Sequence, residues 1–243
     1  MHGSIKSVRN LMAEIMDGLS PLAGELEIAL CPSFVHMDLV GNLLRESGSR
    51  IKLGAQDAHM EDKGAYTGDV SAPMLADIGA RFVLVGHSER RSSAGETNNI
   101  VVSKFGAIQA SGLIPVLCVG ESLSQREVGV TEQTILSQID PIVEKFGFSV
   151  FENALIAYEP VWAIGTGKTA TPEQAQAAHA LIRAHLAKED AKTADSVRII
   201  YGGSVSSNSA QELFKQKDVD GGLVGGASLK AEEFISICKS VDR

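Results

Sequence analysis

Residues 81–119 read RFVLVGHSERRSSAGETNNIVVSKFGAIQASGLIPVLCV, and this stretch contains one complete strand–helix–strand unit. Two short apolar runs, Arg81 to Val85 and Leu113 to Val119, flank the longer amphipathic segment Asn98 to Ala110. Short strands that alternate with helices of this length are typical of parallel sheets. The stretch therefore predicts a βα repeat with a polar loop directly after its first strand.

The same alternation extends in both directions along the chain. The predicted strands are Leu26 to Leu30, Arg50 to Gly54, Arg81 to Val85, Leu113 to Val119, Ala154 to Tyr158, Val197 to Tyr201 and Gly221 to Val224. The predicted helices are Ile5 to Leu19, Met37 to Glu46, Ser71 to Ile78, Asn98 to Ala110, Thr131 to Phe146, Pro172 to Lys188, Asn208 to Gln216 and Ala231 to Lys239. No linker rich in serine, glycine or proline interrupts the pattern, so residues 1–243 are predicted to form one domain.

Seven strands and eight helices, beginning with a helix, predict a (β/α)₈ barrel that lacks its first β-strand. An open, doubly wound sheet is the alternative. The barrel fits better, because the strands are regularly spaced and no G-x-G-x-x-G segment follows the first of them. Residues 1–4 are too few to supply a strand before the first helix.

Composition narrows the classes of function. The 243 residues include 22 basic and 30 acidic side chains, for a formal net charge of −8, which disfavours nucleic-acid and anionic-membrane partners. No apolar run approaches the ~18 residues that cross a bilayer, and the first residues lack a signal-peptide pattern, so a soluble cytoplasmic protein is expected. Cys31, Cys118 and Cys238 lack metal-ligand spacing and are predicted to be free thiols in a reducing compartment.

Four polar or glycine-rich clusters follow the ends of predicted strands. They are GHSERR (86–91), EPVWAIGTGK (159–168), YGGS (201–204) and GGLVGGAS (221–228). The carboxyl ends of barrel strands open onto one mouth, where barrel enzymes assemble their sites. We therefore expect the four clusters to contribute to a single site.

Several residues in these clusters suit chemistry on an anionic substrate. Glu159 at a strand end could act as a general base, or simply cap a helix or form a salt bridge. His87 precedes a short helix whose amino terminus would favour a neutral ring, although a structural histidine is the alternative. The phosphate-binding candidates are Gly165, Ser204, Gly225 and Gly226, where close backbone approach and helical N–H groups would hold an anion; simple turns are the alternative.

Taken together and in this order, the four clusters resemble the triosephosphate isomerase family, and the resemblance runs from Met1 to the carboxyl terminus. It implies a TIM barrel that interconverts dihydroxyacetone phosphate and glyceraldehyde 3-phosphate through an enediolate in glycolysis and gluconeogenesis, with no metal or organic cofactor. It further implies that Glu159 is the catalytic base, that His87 is a neutral electrophile, and that the four phosphate-binding candidates hold the substrate phosphate.

Two further segments resemble mobile or interfacial parts of this family. Pro160 to Ala170 resembles its lid, and on closure Ile164 and Leu223 would cover Glu159 with apolar surface; ordinary core residues are the alternative. The long loop Gln56 to Asp69 has little secondary-structure pattern, and loops of this kind are usually functional. The matching family loop inserts into a neighbouring subunit, so the resemblance implies a homodimer, which loss of a strand would weaken.

The amino end departs from the family pattern. Family members begin with a strand and an Asn-Trp-Lys segment, whereas Met1-His2-Gly3-Ser4 resembles the residues directly after that lysine. Either the amino end has been lost from a longer protein, or the gene encodes a seven-stranded variant. The first is favoured, because the other motifs are intact and a missing strand leaves two sheet edges exposed.

Without that lysine the site lacks its main cation, so we expect reduced catalysis. Glu89, which accompanies the lysine in the family, is expected to be a buried carboxylate without its cation. Two hypotheses follow: a triosephosphate isomerase, or a catalytically silent phosphate-binding barrel or interaction protein.

Overall fold

The computed structural model describes residues 1–20, 26–164 and 169–241. One sheet of six parallel strands lies at its centre, and each strand pairs with the next along the chain. The strands are β1 (Ala29–Leu30), β2 (Lys52–Ala55), β3 (Ala80–Val85), β4 (Ile114–Val119), β5 (Leu155–Tyr158) and β6 (Arg198–Tyr201). Strictly sequential parallel pairing is the order that consecutive βα units produce.

Helices connect the strands. In the described residues they are α1 (Ile5–Leu19), α2 (Met37–Glu46), α3 (Ala72–Asp77), α4 (Ser88–Ser93), α5 (Asn98–Ala110), α6 (Leu123–Glu127), α7 (Thr131–Phe146), α8 (Pro172–Ala187), α9 (Ala191–Ser196), α10 (Ser207–Phe214) and α11 (Ala231–Lys239). Each of the eight predicted helical segments overlaps one of these helices. The three additional helices, α4, α6 and α9, are too short to show an apolar period, and each begins at a capping side chain: His87, Ser122 and Asp190.

The prediction of a seventh strand at Gly221 to Val224 is wrong. This segment makes a single parallel bridge, between Gly222 and Tyr201, with the Tyr201 N–H donating to the Gly221 carbonyl at 2.9 Å. Gly221 has φ +155°, outside the extended conformation that a side-chain-bearing residue adopts. The Leu223 N–H also donates to the Tyr201 carbonyl at 2.8 Å, so the segment runs beside β6 but forms only this one bridge with it.

The sheet is strongly curled. Arg198, at the start of β6, forms an ion pair with Glu27, which lies just before β1, although 171 residues separate them in sequence. The first and last strands therefore approach each other at one end. The architecture is an α/β fold with six parallel strands in a curled half-barrel, which is consistent with the TIM-barrel family.

Both faces of the sheet are buried, as expected of parallel strands covered by helices. Along β3, the side chains of Phe82 and Leu84 lie in the inner cluster, whereas Val83 and Val85 pack toward the helices. The strands β4 and β5 alternate in the same way. This period of two directs successive residues to opposite faces and fixes which of the residues after each strand face inward.

In the described part of the chain, no helix has both the length and the apolar character that crossing a bilayer requires. The three cysteines are free, as predicted.

Candidate active site

Glu159 directly follows β5, and main-chain hydrogen bonds hold it there. Its N–H donates to the Val119 carbonyl at 2.7 Å, and the Gly202 N–H donates to the Tyr158 carbonyl at 2.7 Å. The side chain is almost fully buried, with 2% of the residue exposed. The ends of β4, β5 and β6 thus fix the backbone that carries this carboxylate.

Two glycines give Glu159 the space it occupies. A Cβ on Gly120, after β4, would overlap the Glu159 carbonyl oxygen, and a Cβ on Gly202, after β6, would lie 3.0 Å from its Cγ. Neither glycine has a positive φ, so close approach is the requirement at these positions.

His87 faces Glu159 from the end of β3. Its Nε2 lies 2.8 Å from Glu159 Oε1, an ion-pair contact whose angles fall outside hydrogen-bonding geometry. The Ser88 N–H donates to Glu159 Oε2 at 2.9 Å. His87 also caps α4, with Nδ1 accepting the Glu89 N–H at 3.3 Å, which assigns the proton of a neutral ring to Nε2.

The environment of His87 contains opposing electrostatic effects. Burial lowers the pKa of His87, but close contact with Glu159 and the negative charges of Glu159 and Glu89 outweigh it, so the His87 pKa lies above its ordinary value of 6.5. In this arrangement the imidazolium is therefore favoured more than in an isolated histidine. Movement of Glu159 away from the ring would favour the neutral form expected from the sequence.

The phosphate-binding candidates in the described residues all follow β6 in the chain. The Ser204 hydroxyl, beyond β6, donates to the Ala163 carbonyl at 2.7 Å. Gly225 and Gly226 are exposed and begin a single 3₁₀ turn, Gly226–Leu229, whose first N–H groups have no partner within the turn. The bridge between Tyr201 and Gly222 places this segment beside the end of β6. The remaining phosphate-binding candidate, Gly165, lies outside the described residues.

Glu121 contacts the start of the segment that resembles the family's lid, residues 160–170, of which 160–164 and 169–170 are described. Its buried Oε1 accepts the Trp162 indole N–H at 3.0 Å, the Tyr158 hydroxyl at 3.1 Å and an Arg126 N–H at 3.1 Å. Its carbonyl accepts the Val161 N–H at 3.1 Å. A single buried carboxylate thus ties Trp162 to β5 and α6.

The family model for triosephosphate isomerase matches residues 1–241. The chain belongs to the triosephosphate isomerase family. A triosephosphate isomerase of Alcanivorax borkumensis is 47% identical over 234 residues, covering 96% of this chain and 94% of the relative. Triosephosphate isomerases of Thiobacillus denitrificans and Pseudomonas savastanoi pv. phaseolicola are each 51% identical, over 240 and 243 residues, covering 99% of this chain and 94% of each relative. The resemblance predicted from the four loop clusters is confirmed.

Membership of the triosephosphate isomerase family does not fix where each supporting residue lies. Glu89, expected to be buried, is exposed in the first turn of α4, because this short helix buries none of its residues fully and a carboxylate there suits the helix amino terminus. Ile164 is half-buried at the end of the 3₁₀ turn Val161–Ala163. Leu223 is half-buried against the inner cluster of the sheet.

Three residues with clear roles in the geometry were not singled out from the sequence. Gly120 and Glu121 follow β4 directly, so the rule that functional residues follow strand ends would have found them. Ser88 supplies a main-chain N–H to Glu159. Main-chain donors carry no residue-type signal, so sequence alone could not identify that contact.

Replacing Glu159 with Gln is expected to lower the pKa of His87. The substitution removes the negative charge that raises this pKa and leaves the burial that lowers it. NMR titration of the His87 ring in both proteins measures the change. An unchanged or higher pKa in Glu159→Gln would show that another group sets the protonation of His87.

Proposed function

We propose that this protein interconverts dihydroxyacetone phosphate and glyceraldehyde 3-phosphate by proton transfer between adjacent carbons. The observation that carries the proposal is the 2.8 Å approach of Glu159 Oε1 and His87 Nε2 at the ends of β5 and β3, which flank β4. A carboxylate and an imidazole in this relation can act on the carbon and the oxygens of one small substrate. Membership of the triosephosphate isomerase family supports the same reaction.

In the proposed reaction Glu159 removes a proton from the carbon beside the substrate carbonyl. The electron pair of the broken C–H bond forms the carbon–carbon double bond of an enediolate, and negative charge develops on the former carbonyl oxygen. His87 donates a hydrogen bond from Nε2 to the substrate oxygens as this charge develops. The Nε2 proton passes to the former carbonyl oxygen, His87 takes the proton of the neighbouring hydroxyl, and that hydroxyl oxygen becomes the new carbonyl oxygen. Glu159 then returns its proton to the former carbonyl carbon, which gives the isomer.

These reaction steps require the Glu159 carboxylate to give up its present contacts and approach the substrate. In the present arrangement its carboxylate contacts His87 and accepts the Ser88 N–H, so both contacts must be released before it can reach a substrate carbon. The same movement removes the charge that raises the pKa of His87. One side-chain movement therefore frees the base and favours the neutral ring that donates to the substrate.

Ser204, Gly225 and Gly226, with Gly165, are proposed to hold the substrate phosphate. The exposed N–H groups at the start of the turn Gly226–Leu229 suit an anion, and glycine allows it to approach the backbone. The lid segment is proposed to close over the substrate, with Ile164 and Leu223 shielding the enediolate from water.

Inorganic phosphate is expected to bind at this site even without a triose. Ser204→Ala should weaken binding roughly tenfold to 10²-fold, because the hydroxyl, once released from the Ala163 carbonyl, would donate to the phosphate, and hydrogen bonds to charged groups contribute about 1.5–3 kcal/mol. Isothermal titration measures the affinity. Ser111→Ala is the matched control, because Ser111 also donates its hydroxyl to a main-chain carbonyl, that of Ala107, but directly follows α5. Equal affinities in the two variants would contradict the assignment of Ser204.

A turnover assay on the purified protein tests the proposed reaction. Conversion of dihydroxyacetone phosphate to glyceraldehyde 3-phosphate is the expected result. Phosphate binding without conversion would instead support a catalytically silent barrel.

A homodimer formed through residues 56–69 is also proposed. The exposed side chains of Met60 and Tyr66 lie in this loop, and the Tyr66 ring packs against His59 in a tilted arrangement with ring centroids 4.1 Å apart. Exposed apolar side chains held on an ordered loop are typical of an interface.

Tyr66→Asp is expected to shift the protein from dimer to monomer in sedimentation velocity, because it places a charge in the proposed interface. Val128→Asp is the control, since Val128 is more exposed than Tyr66 but lies at the end of α6. A monomeric unaltered protein at micromolar concentration would contradict the dimer.

A further inference from the structure

We propose that Arg91 is a positioning residue for His87, holding the turn that carries the imidazole while Glu159 acts on the substrate. The expected effect of Arg91 on kinetics rests on the proposed function. Its effect on the position of His87 rests on the geometry alone. Arg91 lies in the GHSERR cluster, and the reaction described above gives it no role.

Arg91 binds the peptide units on both sides of His87. Its Nε donates to the Gly86 carbonyl at 2.7 Å, and its main-chain N–H donates to the His87 carbonyl at 3.1 Å. Gly86 has φ +70°, and this left-handed residue reverses the chain between β3 and α4. The direction of the His87 side chain depends on that reversal, so a bond to the Gly86 carbonyl acts on the orientation of the ring.

The guanidinium also joins this turn to two other elements. Nη1 donates to Asn98 Oδ1, at the start of α5, at 2.7 Å, and Nη2 reaches the Cys118 carbonyl in β4 at 3.4 Å. Asn98 in turn donates through Nδ2 to the Ser137 carbonyl in α7 at 2.8 Å. The planar fork of an arginine can hold three acceptors in fixed directions, whereas the single ammonium of a lysine cannot reproduce that geometry.

Arg91 and Glu159 hold the same turn from different elements. Glu159 contacts the His87 ring and the Ser88 N–H from β5, and Arg91 binds the Gly86 carbonyl from α4. When Glu159 leaves to take the substrate proton, its two contacts with the turn are lost and those of Arg91 remain. Loss of Arg91 should therefore matter most in the transition state, so that kcat falls while KM changes little.

Gly86 supports this arrangement independently. A Cβ at Gly86 would lie 2.9 Å from Arg91 Nη2, so the turn and the guanidinium are packed against each other. The glycine thus serves both the backbone conformation and the close approach of Arg91.

Steady-state kinetics of Arg91→Met and Arg91→Lys test the proposal, with Arg90→Met as the matched control. Arg90 is the adjacent arginine on α4, and its side chain pairs with Glu96 and Asp57 instead of the Gly86 carbonyl. We expect Arg91→Met to lower kcat between about tenfold and 10²-fold, the scale of a slightly misplaced catalytic group, with KM changed less than threefold. Arg91→Lys keeps the charge but loses the fork, and it should recover only part of the loss.

Full recovery in Arg91→Lys would show that charge alone matters, and a kcat in Arg91→Met equal to that of Arg90→Met would show only general destabilisation. Either result overturns the proposal. If circular dichroism shows that Arg91→Met does not fold, Arg91→Lys takes its place. A kcat in Arg91→Lys equal to that of Arg90→Met then overturns the proposal.

A second measurement does not depend on turnover. In a Glu159→Gln background no carboxylate pairs with the His87 ring. In that background, adding Arg91→Lys should broaden or shift the His87 imidazole resonances, whereas adding Arg90→Met should not. Unchanged His87 resonances would overturn the positioning role. Failure of the proposed function would instead appear as absent turnover in the unaltered protein.

Discussion

Glu159→Gln should lower turnover by at least about 10²- to 10⁴-fold, the usual cost of losing a general base. The amide keeps the size and shape of the side chain but cannot accept a carbon-bound proton. Phosphate affinity should change little, because the proposed phosphate site lies on Ser204, Gly225 and Gly226. Steady-state kinetics and phosphate titration of the same preparation separate the two effects.

Glu233→Gln is the matched control for this substitution. The Glu233 carboxylate also accepts a main-chain N–H, from Ser207 at 2.7 Å, but it lies on α11 and binds the start of α10. It should retain most of the activity. Comparable turnover in Glu159→Gln and the unaltered protein would remove Glu159 from the role of base.

Gly120→Ala is expected to damage both stability and catalysis. The added methyl would overlap the Glu159 carbonyl oxygen, and backbone cannot rotate away as a flexible side chain could. Overpacking in a well-packed interior typically costs about 1–3 kcal/mol. Displacing the backbone of Glu159 by even ~1 Å should lower kcat about 10²-fold. Thermal unfolding and steady-state kinetics measure the two effects.

Gly41→Ala controls for the loss of a buried glycine. A Cβ at Gly41, in the middle of α2, would have the flexible Leu53 Cδ2 as its nearest neighbour at 3.2 Å. Alanine also favours the helix. Wild-type kcat in Gly120→Ala would contradict the claim that the end of β4 fixes Glu159.

Much of the fold follows from periodicity. The alternation of inner and outer residues along β3, together with the longer helical period of Asn98–Ala110, predicts one βα unit, and repetition of that unit predicts the sheet. The short helix α4 has no such period. Its start depends on a His87 nitrogen accepting the Glu89 N–H, an interaction that residue-type patterns do not reveal.

The candidate site was partly predictable for the same reason. Glu159 and His87 both follow segments with a clear strand pattern. The structure brings Glu159 Oε1 and His87 Nε2 to within 2.8 Å of each other. The role of Gly120 depends on the close approach of β5, and the contacts of Arg91 join residues from β3, β4 and α5. Such properties arise only when separate segments meet, so spacing along one chain segment does not contain them.

The central claim is that Glu159 transfers a proton between adjacent carbons of a triose phosphate. Its most direct test is incubation of the protein with dihydroxyacetone phosphate in ²H₂O, with NMR detection of deuterium in the glyceraldehyde 3-phosphate formed. We expect conversion with solvent deuterium at the carbon next to the carbonyl, and loss of both conversion and labelling in Glu159→Gln. No conversion by the unaltered protein, or undiminished labelling in Glu159→Gln, would contradict it.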